Sequence, residues 1–302
     1  MHFRLRYVLD MSLGLDEGEG LNFPYGGDHR VVVRVFEQVV DGRKTLLCEG
    51  LSEREVEKSV QDAFERATAG NPLGSTHRAF FKEVVSELYD HMEPTVKILR
   101  WRCSVMDGPI SLFRDGKEAY SFDGAVWRET PRPVASFRLL IGHPQNSKIS
   151  ETVCKEIVGL VEQGASESLE RAMFRDAWNL REMYPKAALV IGVAAAEIGF
   201  RRRVGKVGRR KRIVALLKKN WPHPSPIPVA QGIQLKASPI LLDILISGIH
   251  KRNAVVHNGA AAPDRDELRD ILWNISQLLW IWDFYSGHAW ALENILEGSL
   301  SR

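Results

Sequence analysis

The chain is poor in cysteine. Its three, Cys48, Cys103 and Cys154, stand far apart with no CxxC spacing, which argues against a zinc site and against a disulfide framework and leaves reduced, buried thiols as the expectation. A long apolar run is missing too. The longest, residues 187–200, is too short to span a bilayer and is broken by Glu197, so it reads as a buried helix and no membrane partner is expected. Residues 1–14 carry Arg4, Arg6 and Asp10 through their apolar stretch and so lack the uninterrupted core of a signal peptide. A cytoplasmic protein is the expectation. Charge of one sign is not in excess: 41 Lys and Arg against 38 Asp and Glu leave a formal net charge of +3, so any basic footprint has to be local. No glycine-rich loop follows a candidate strand, which leaves a nucleotide-binding Rossmann unit without support, and no cofactor or metal is expected.

What is present is an ordinary globular composition, 44% hydrophobic and 26% charged over 302 residues, enough for two domains with packed cores. The first half reads as mixed. Residues 2–12 and 30–40 are rich in Val, Leu, Phe and Tyr, and the second run meets residues 45–48 across an Asp41-Gly42 hairpin turn. Ser52 with Glu55 forms a capping box before Val56, Val60 and Phe64, predicting a helix to about residue 67, and a second helix covers residues 76–91. From residue 95 to 128, Asp107-Gly108, Asp115-Gly116 and Asp123-Gly124 separate short β-prone runs, predicting a meander whose apolar face packs on the two helices. Pro131, Pro133 and Pro144 set the domain boundary, giving an α+β domain over 1–148, with an antiparallel sheet and two helices, and a second domain over 149–302.

The second domain is predicted all-helical. Helical patterns cover residues 151–162, 166–183, 185–204, 209–221, 239–257 and 263–285, with a short terminal helix near 288–296 and a proline-rich loop over 222–238. In the third of these, Ala187, Val190, Ile191, Ala194 and Ile198 form an apolar stripe with Glu197 near its edge, and a carboxylate there needs a cationic partner. The aromatic series Trp273, Trp280, Trp282, Phe284, Tyr285 and Trp290 is assigned to core packing, with Trp273 and Trp280 on one face.

Residues 251–259 (KRNAVVHNG) close the helix that starts after Pro239, with Asn258-Gly259 as its stop. Asn253 and His257 are four apart and share a face, and Arg252 stands beside them. Arg138 and His143 have the same spacing as Arg252 and His257, but in a proline-flanked stretch without the Asn or the stop. After Phe200, eight cations fall within twelve residues: Arg201, Arg202, Arg203, Lys206, Arg209, Arg210, Lys211 and Arg212. Broken by Gly205 and Gly208, they form a basic loop suited to phosphates without base specificity.

The Arg-Asn-x-x-x-His run ending a helix resembles the motif of the HEPN superfamily of ribonuclease domains, and the resemblance spans about residues 165–285. Residues 176–200 resemble the family's earlier helix pair, with its acid falling on Glu197. The resemblance implies a metal-independent endoribonuclease, a defence or stress effector or toxin, with Arg252, Asn253 and His257 catalytic and Glu197 supporting. It further implies RNA as partner and a homodimer that brings two motifs to one cleft. The first domain is expected to recognise a trigger or protein partner. Alternatives are a non-catalytic dimerisation or partner-binding module and a sensor whose first domain holds a small molecule. The family's tyrosine two residues after the histidine is Gly259 here, which disfavours pairing with a tyrosine-modifying antitoxin.

Overall fold

A computed structural model describes residues 1–9, 11, 13, 15, 19–26, 30–40, 43–68, 73–106, 113–129, 149–204, 236–296 and 299–301. It divides into two compact units, Met1–Ser166 and Glu167–Arg302.

The first unit is built on a six-stranded antiparallel sheet in the order β2-β3-β4-β1-β5-β6. Its strands are β1 (His2–Leu9), β2 (Gly20–Tyr25), β3 (Arg30–Val40), β4 (Arg43–Glu53), β5 (Phe113–Ser121) and β6 (Arg128–Glu129). Alternation builds the core: Phe3 and Leu5 of β1, Leu21, Phe23 and Tyr25 of β2, and Val31, Val33 and Val35 of β3 are all buried. The β1 and β4 residues of this side face helices α1 (Lys58–Thr68) and α2 (Ser75–Arg102): Phe3 meets Phe64 edge-on and Phe81 at a tilt, and Gly50 lies under Met92. Helix α3 (Glu151–Glu162) packs on α2 and β2, with Arg102 Nε donating to Glu156 Oε2 at 2.9 Å.

Four features of this unit differ from the expectations. Residues 95–102 are helical, not a strand, because Phe81, Val84, Leu88, Met92, Thr95, Val96 and Leu99 continue one buried helical stripe. The stripe overrides the β-branched content and the missing donor of Pro94, and Thr95 Oγ1 adds a bond to His91 O at 2.5 Å. Asp115-Gly116 lies inside β5, where Asp115 has φ 51° and the β1–β5 register shifts, so the pair makes a bulge instead of a turn. Ser52 is no helix cap: it pairs with Phe3 and Val31 in the sheet, and α1 starts at Lys58. Finally, the division between units falls after α3, whereas the prolines set it at 148/149. Asp123-Gly124 is a turn as expected, with Asp123 Oδ1 accepting from the N–H groups of Ala125 and Val126. Asp41-Gly42 and Asp107-Gly108 lie outside the described residues, although β3 and β4 pair from Val40↔Arg43 onward.

In the second unit, helices α4 (Leu169–Leu180), α5 (Pro185–Val204), α6 (Pro239–Asn258) and α7 (Arg265–Tyr285) precede a 3₁₀ turn, Ala289–Asn294. The expected helix over 209–221 lies outside the described residues. A short antiparallel pair, β7 (Lys236–Ala237) with β8 (Leu300–Ser301), occupies the end of the expected loop. Helix α5 turns Ala188, Leu189, Gly192, Val193, Gly199 and Phe200 inward, while Ala187 is exposed and Val190, Ile191, Ala194 and Ile198 are half-buried. The buried stripe is thus not the one expected. Glycine decides it: a Cβ at Gly192 would sit 2.5 Å from Leu272 Cδ2, and one at Gly199 would run into Trp282, so α5 lies close on α7 along this side. Gly248 of α6 approaches Ile271 in the same way. Trp280 and Trp282 are core, but Trp273 is exposed beside Trp178. Among the described residues no helix is long and apolar enough to cross a membrane.

Gly192→Val is expected to destabilise the chain by about 1–3 kcal/mol through overpacking. Gly159→Ala, in α3 with nothing within 4 Å of the new Cβ, should stabilise it by roughly 0.5–1 kcal/mol. Urea unfolding of both variants reads the two signs.

Candidate active site

Helix α6 is fixed at both ends by its own sequence. Ser238 Oγ accepts from Leu241 N at 3.2 Å, and Pro239 takes the first turn, where no donor is needed. At the other end Gly259 adopts φ 65°, and the N–H groups of Gly259 and Ala260 both turn back to Ala254 O. Five residues on, Asp264 Oδ1 accepts from Glu267 N at 2.9 Å and starts α7. Lys251 Nζ reaches Glu267 Oε1 at 2.5 Å across this hairpin. The helix end that carries Arg252, Asn253 and His257 is therefore defined on both sides.

The three residues have different surroundings. Arg252 is 8% exposed, and its Nη2 donates to Glu197 Oε1 of α5. The Arg252 Nε is buried with no hydrogen-bond partner among the described residues. Asn253 is half-buried, His257 is exposed, and neither has a hydrogen bond or ion pair among the described residues. Five helical steps turn Arg252 from His257 by roughly 140°. The guanidinium thus faces inward to the carboxylate while the imidazole faces solvent at the last turn.

Glu197 also borders a small apolar pocket of about 20 Å³ formed with Val193, Phe200, Leu245, Ile249 and Trp282. Four residues after Glu197, Arg201 is exposed and makes no hydrogen bond or ion pair among the described residues, whereas Arg202 Nη1 donates to the buried Glu170 at 2.8 Å. Nothing is described of the Arg203 side chain, and Lys206, Arg209, Arg210, Lys211 and Arg212 lie outside the described residues. Among the described residues no group of three His, Cys, Asp or Glu side chains could hold a metal ion.

A second buried charge pair lies in the same unit. Arg171 of α4 donates from Nε to Asp283 Oδ2 of α7 at 2.8 Å, with its guanidinium 3.4 Å over the Trp280 ring. Burial pushes the Arg171 guanidinium below its usual value, and Asp283 opposes that shift. The two residues are separated by 112 positions, so no local motif announces them. Their only sequence signal is a charge inside an apolar helical stripe. The chain matches no family model, no curated protein and no solved structure.

Removing one partner of a buried pair strands the other charge, so Glu197→Leu and Arg252→Met should each cost about 3 kcal/mol. The double variant should lose at least ~1 kcal/mol less than the sum, whereas His257→Ala stays within roughly 0.5 kcal/mol of the parent. Chemical denaturation of the four variants measures this cycle.

Proposed function

We propose that the second unit is an endoribonuclease that needs no metal, with His257 as the proton-transferring group. One observation carries the reading: an ion pair between Glu197 and Arg252 anchors the helix end whose last turn presents a solvent-exposed imidazole. Imidazole titrates near neutrality and can both accept and donate a proton. In the proposed reaction the ribose 2′-oxygen attacks the adjacent phosphorus, and its proton passes to an imidazole. The bond from phosphorus to the 5′-oxygen breaks, that oxygen takes up a proton, and a 2′,3′-cyclic phosphate remains. One chain supplies a single histidine at this helix end, so a second copy is proposed to provide the other proton carrier. Asn253, on the same flank of α6 as His257, is proposed to orient the imidazole or hold a phosphate oxygen.

Arg252 is given two tasks in order. Its pairing with Glu197 positions α6, and for the second task the guanidinium is proposed to turn outward from that pair to meet the phosphate once two helix ends form one cleft. Arg201, exposed one turn beyond Glu197, starts the basic segment proposed to hold the RNA backbone. This reading gives the chain the role of a defence or stress effector, with the first unit receiving the trigger.

The burial of Arg252 also favours a second reading, in which the helical unit docks a partner or a second copy without cleaving anything. Cleavage of total RNA in EDTA separates the two. The purified chain is expected to leave cyclic phosphate ends, and His257→Ala to slow cleavage by about 10²–10⁴-fold. Equal cleavage by parent and variant, or an inert parent that still self-associates, would transfer the conclusion to the docking module.

A further inference from the structure

The face of the sheet turned away from α1 and α2 carries a cluster of charge. Strand pairing aligns Asn22, Arg34, Glu49, Arg6 and Lys117 in one row across five strands, since Asn22 faces Arg34, Arg34 and Arg6 both face Glu49, and Arg6 faces Lys117. Arg4 joins from two residues earlier on β1, on the same face. Glu49 is only 3% exposed. Arg6 grips it from Nε at 3.0 Å and from Nη2 at 2.5 Å, while Arg4 and Arg34 each stop 3.7 Å away. Lys117 has its own partner in Glu129 at 3.2 Å. Three guanidiniums therefore share one carboxylate.

Two of the three have donors to spare. Neither Arg4 nor Arg34 donates a hydrogen bond to any described residue. Their planes are nonetheless held: Arg4 lies 4.3 Å over the Trp127 ring, and Phe36 lies beside Arg6 at 5.8 Å and Arg34 at 5.6 Å. A guanidinium packed flat on a ring keeps its in-plane N–H groups available. The Arg4 side chain is 12% exposed; burial first, and the neighbouring Arg6 second, lower its affinity for a proton, while Glu49 and Glu129 oppose that shift. An anion placed among the three guanidiniums would relieve their crowding. With Lys117 and Glu129 counted, four cations face two carboxylates and two positive charges are left over, which a phosphate monoester at about −1.5 to −2 matches and a lone carboxylate does not.

We propose that Arg4, Arg6 and Arg34, with Arg6 anchored by Glu49, form a binding site for a phosphate monoester: the terminal phosphate of a nucleotide or of a nucleic-acid strand. The site lies wholly within the first unit and does not depend on RNA cleavage by the second. Arg34, at 45% side-chain exposure, is the member that can be removed without disturbing the sheet.

The test uses the full chain at low ionic strength with three probes. They are AMP, a 5′-phosphorylated deoxythymidine 12-mer and its 5′-hydroxyl counterpart, both strands fluorescein-labelled at the 3′ end. Deoxy strands lack the 2′-hydroxyl that the proposed cleavage consumes. Binding of AMP identifies a free nucleotide, and binding of the 5′-phosphorylated strand alone identifies a strand end. In either case Arg34→Ala should weaken affinity about tenfold and Arg4→Met at least as much, with Arg34→Ala melting like the parent. The proposal is overturned if neither phosphorylated probe binds. It is equally overturned if the 5′-hydroxyl strand binds as tightly as the phosphorylated one, or if both arginine variants bind like the parent.

Discussion

The approach of α5 to α7 sets the geometry of the whole helical unit. Two glycines seven residues apart, Gly192 and Gly199, leave no side chain between α5 and the Leu272 and Trp282 side chains, so the helices settle at a separation that a Cβ would forbid. Glu197 lies between those glycines in sequence. Once α5 is seated, its carboxylate is committed near the interior, and Arg252 of α6 is the cation that answers it. An unanswered carboxylate in that position would cost several kcal/mol, so the direction in which the end of α6 points is tied to a contact made on the opposite side of α5.

Both units meet the same electrostatic problem with the same side chain. Arginine fills the cationic positions that anchor the structure: buried Arg171 against Asp283 and Trp280, buried Arg252 against Glu197, and half-buried Arg6 against the buried Glu49. Its charge is weakly hydrated and planar, so it can be desolvated against a ring or a carboxylate at lower cost than an ammonium. Where the donors outnumber the acceptors, as around Glu49, the surplus is a capacity for ligand. At Asp283, where one carboxylate meets one buried guanidinium, the pair is a bolt between helices.

Legibility in the sequence followed the range of the interactions. Helices α3 and α5 could be read to their ends, because caps and prolines act within a few residues. Strands β1 and β3 were visible by their Val, Leu, Phe and Tyr content, whereas β2 carries Pro24, which weakens its strand signal and is tolerated because β2 sits on the sheet edge. Residues 95–102 carry β-branched content that points to a strand, but the buried period that runs from Phe81 to Leu99 makes them helix. Arg252 and His257 stood out by their spacing together with Asn253 and the Asn258-Gly259 stop, but their opposite surroundings did not, since burial depends on α5, 55 residues earlier. The Glu49 cluster stayed hidden entirely. Its members lie on β1, β3 and β4, and only the strand register brings them together.

The position of β1 in the sheet has a kinetic side. This strand lies between β4 and β5, so one of its edges is closed by residues 47–53 and the other only by residues 113–121. Until the second partner has been synthesised, a strand rich in Leu, Phe and Tyr offers a bare row of amides and carbonyls to any neighbour. Closing it requires joining segments more than a hundred positions apart, which makes this sheet the slow, aggregation-exposed step in the birth of the chain.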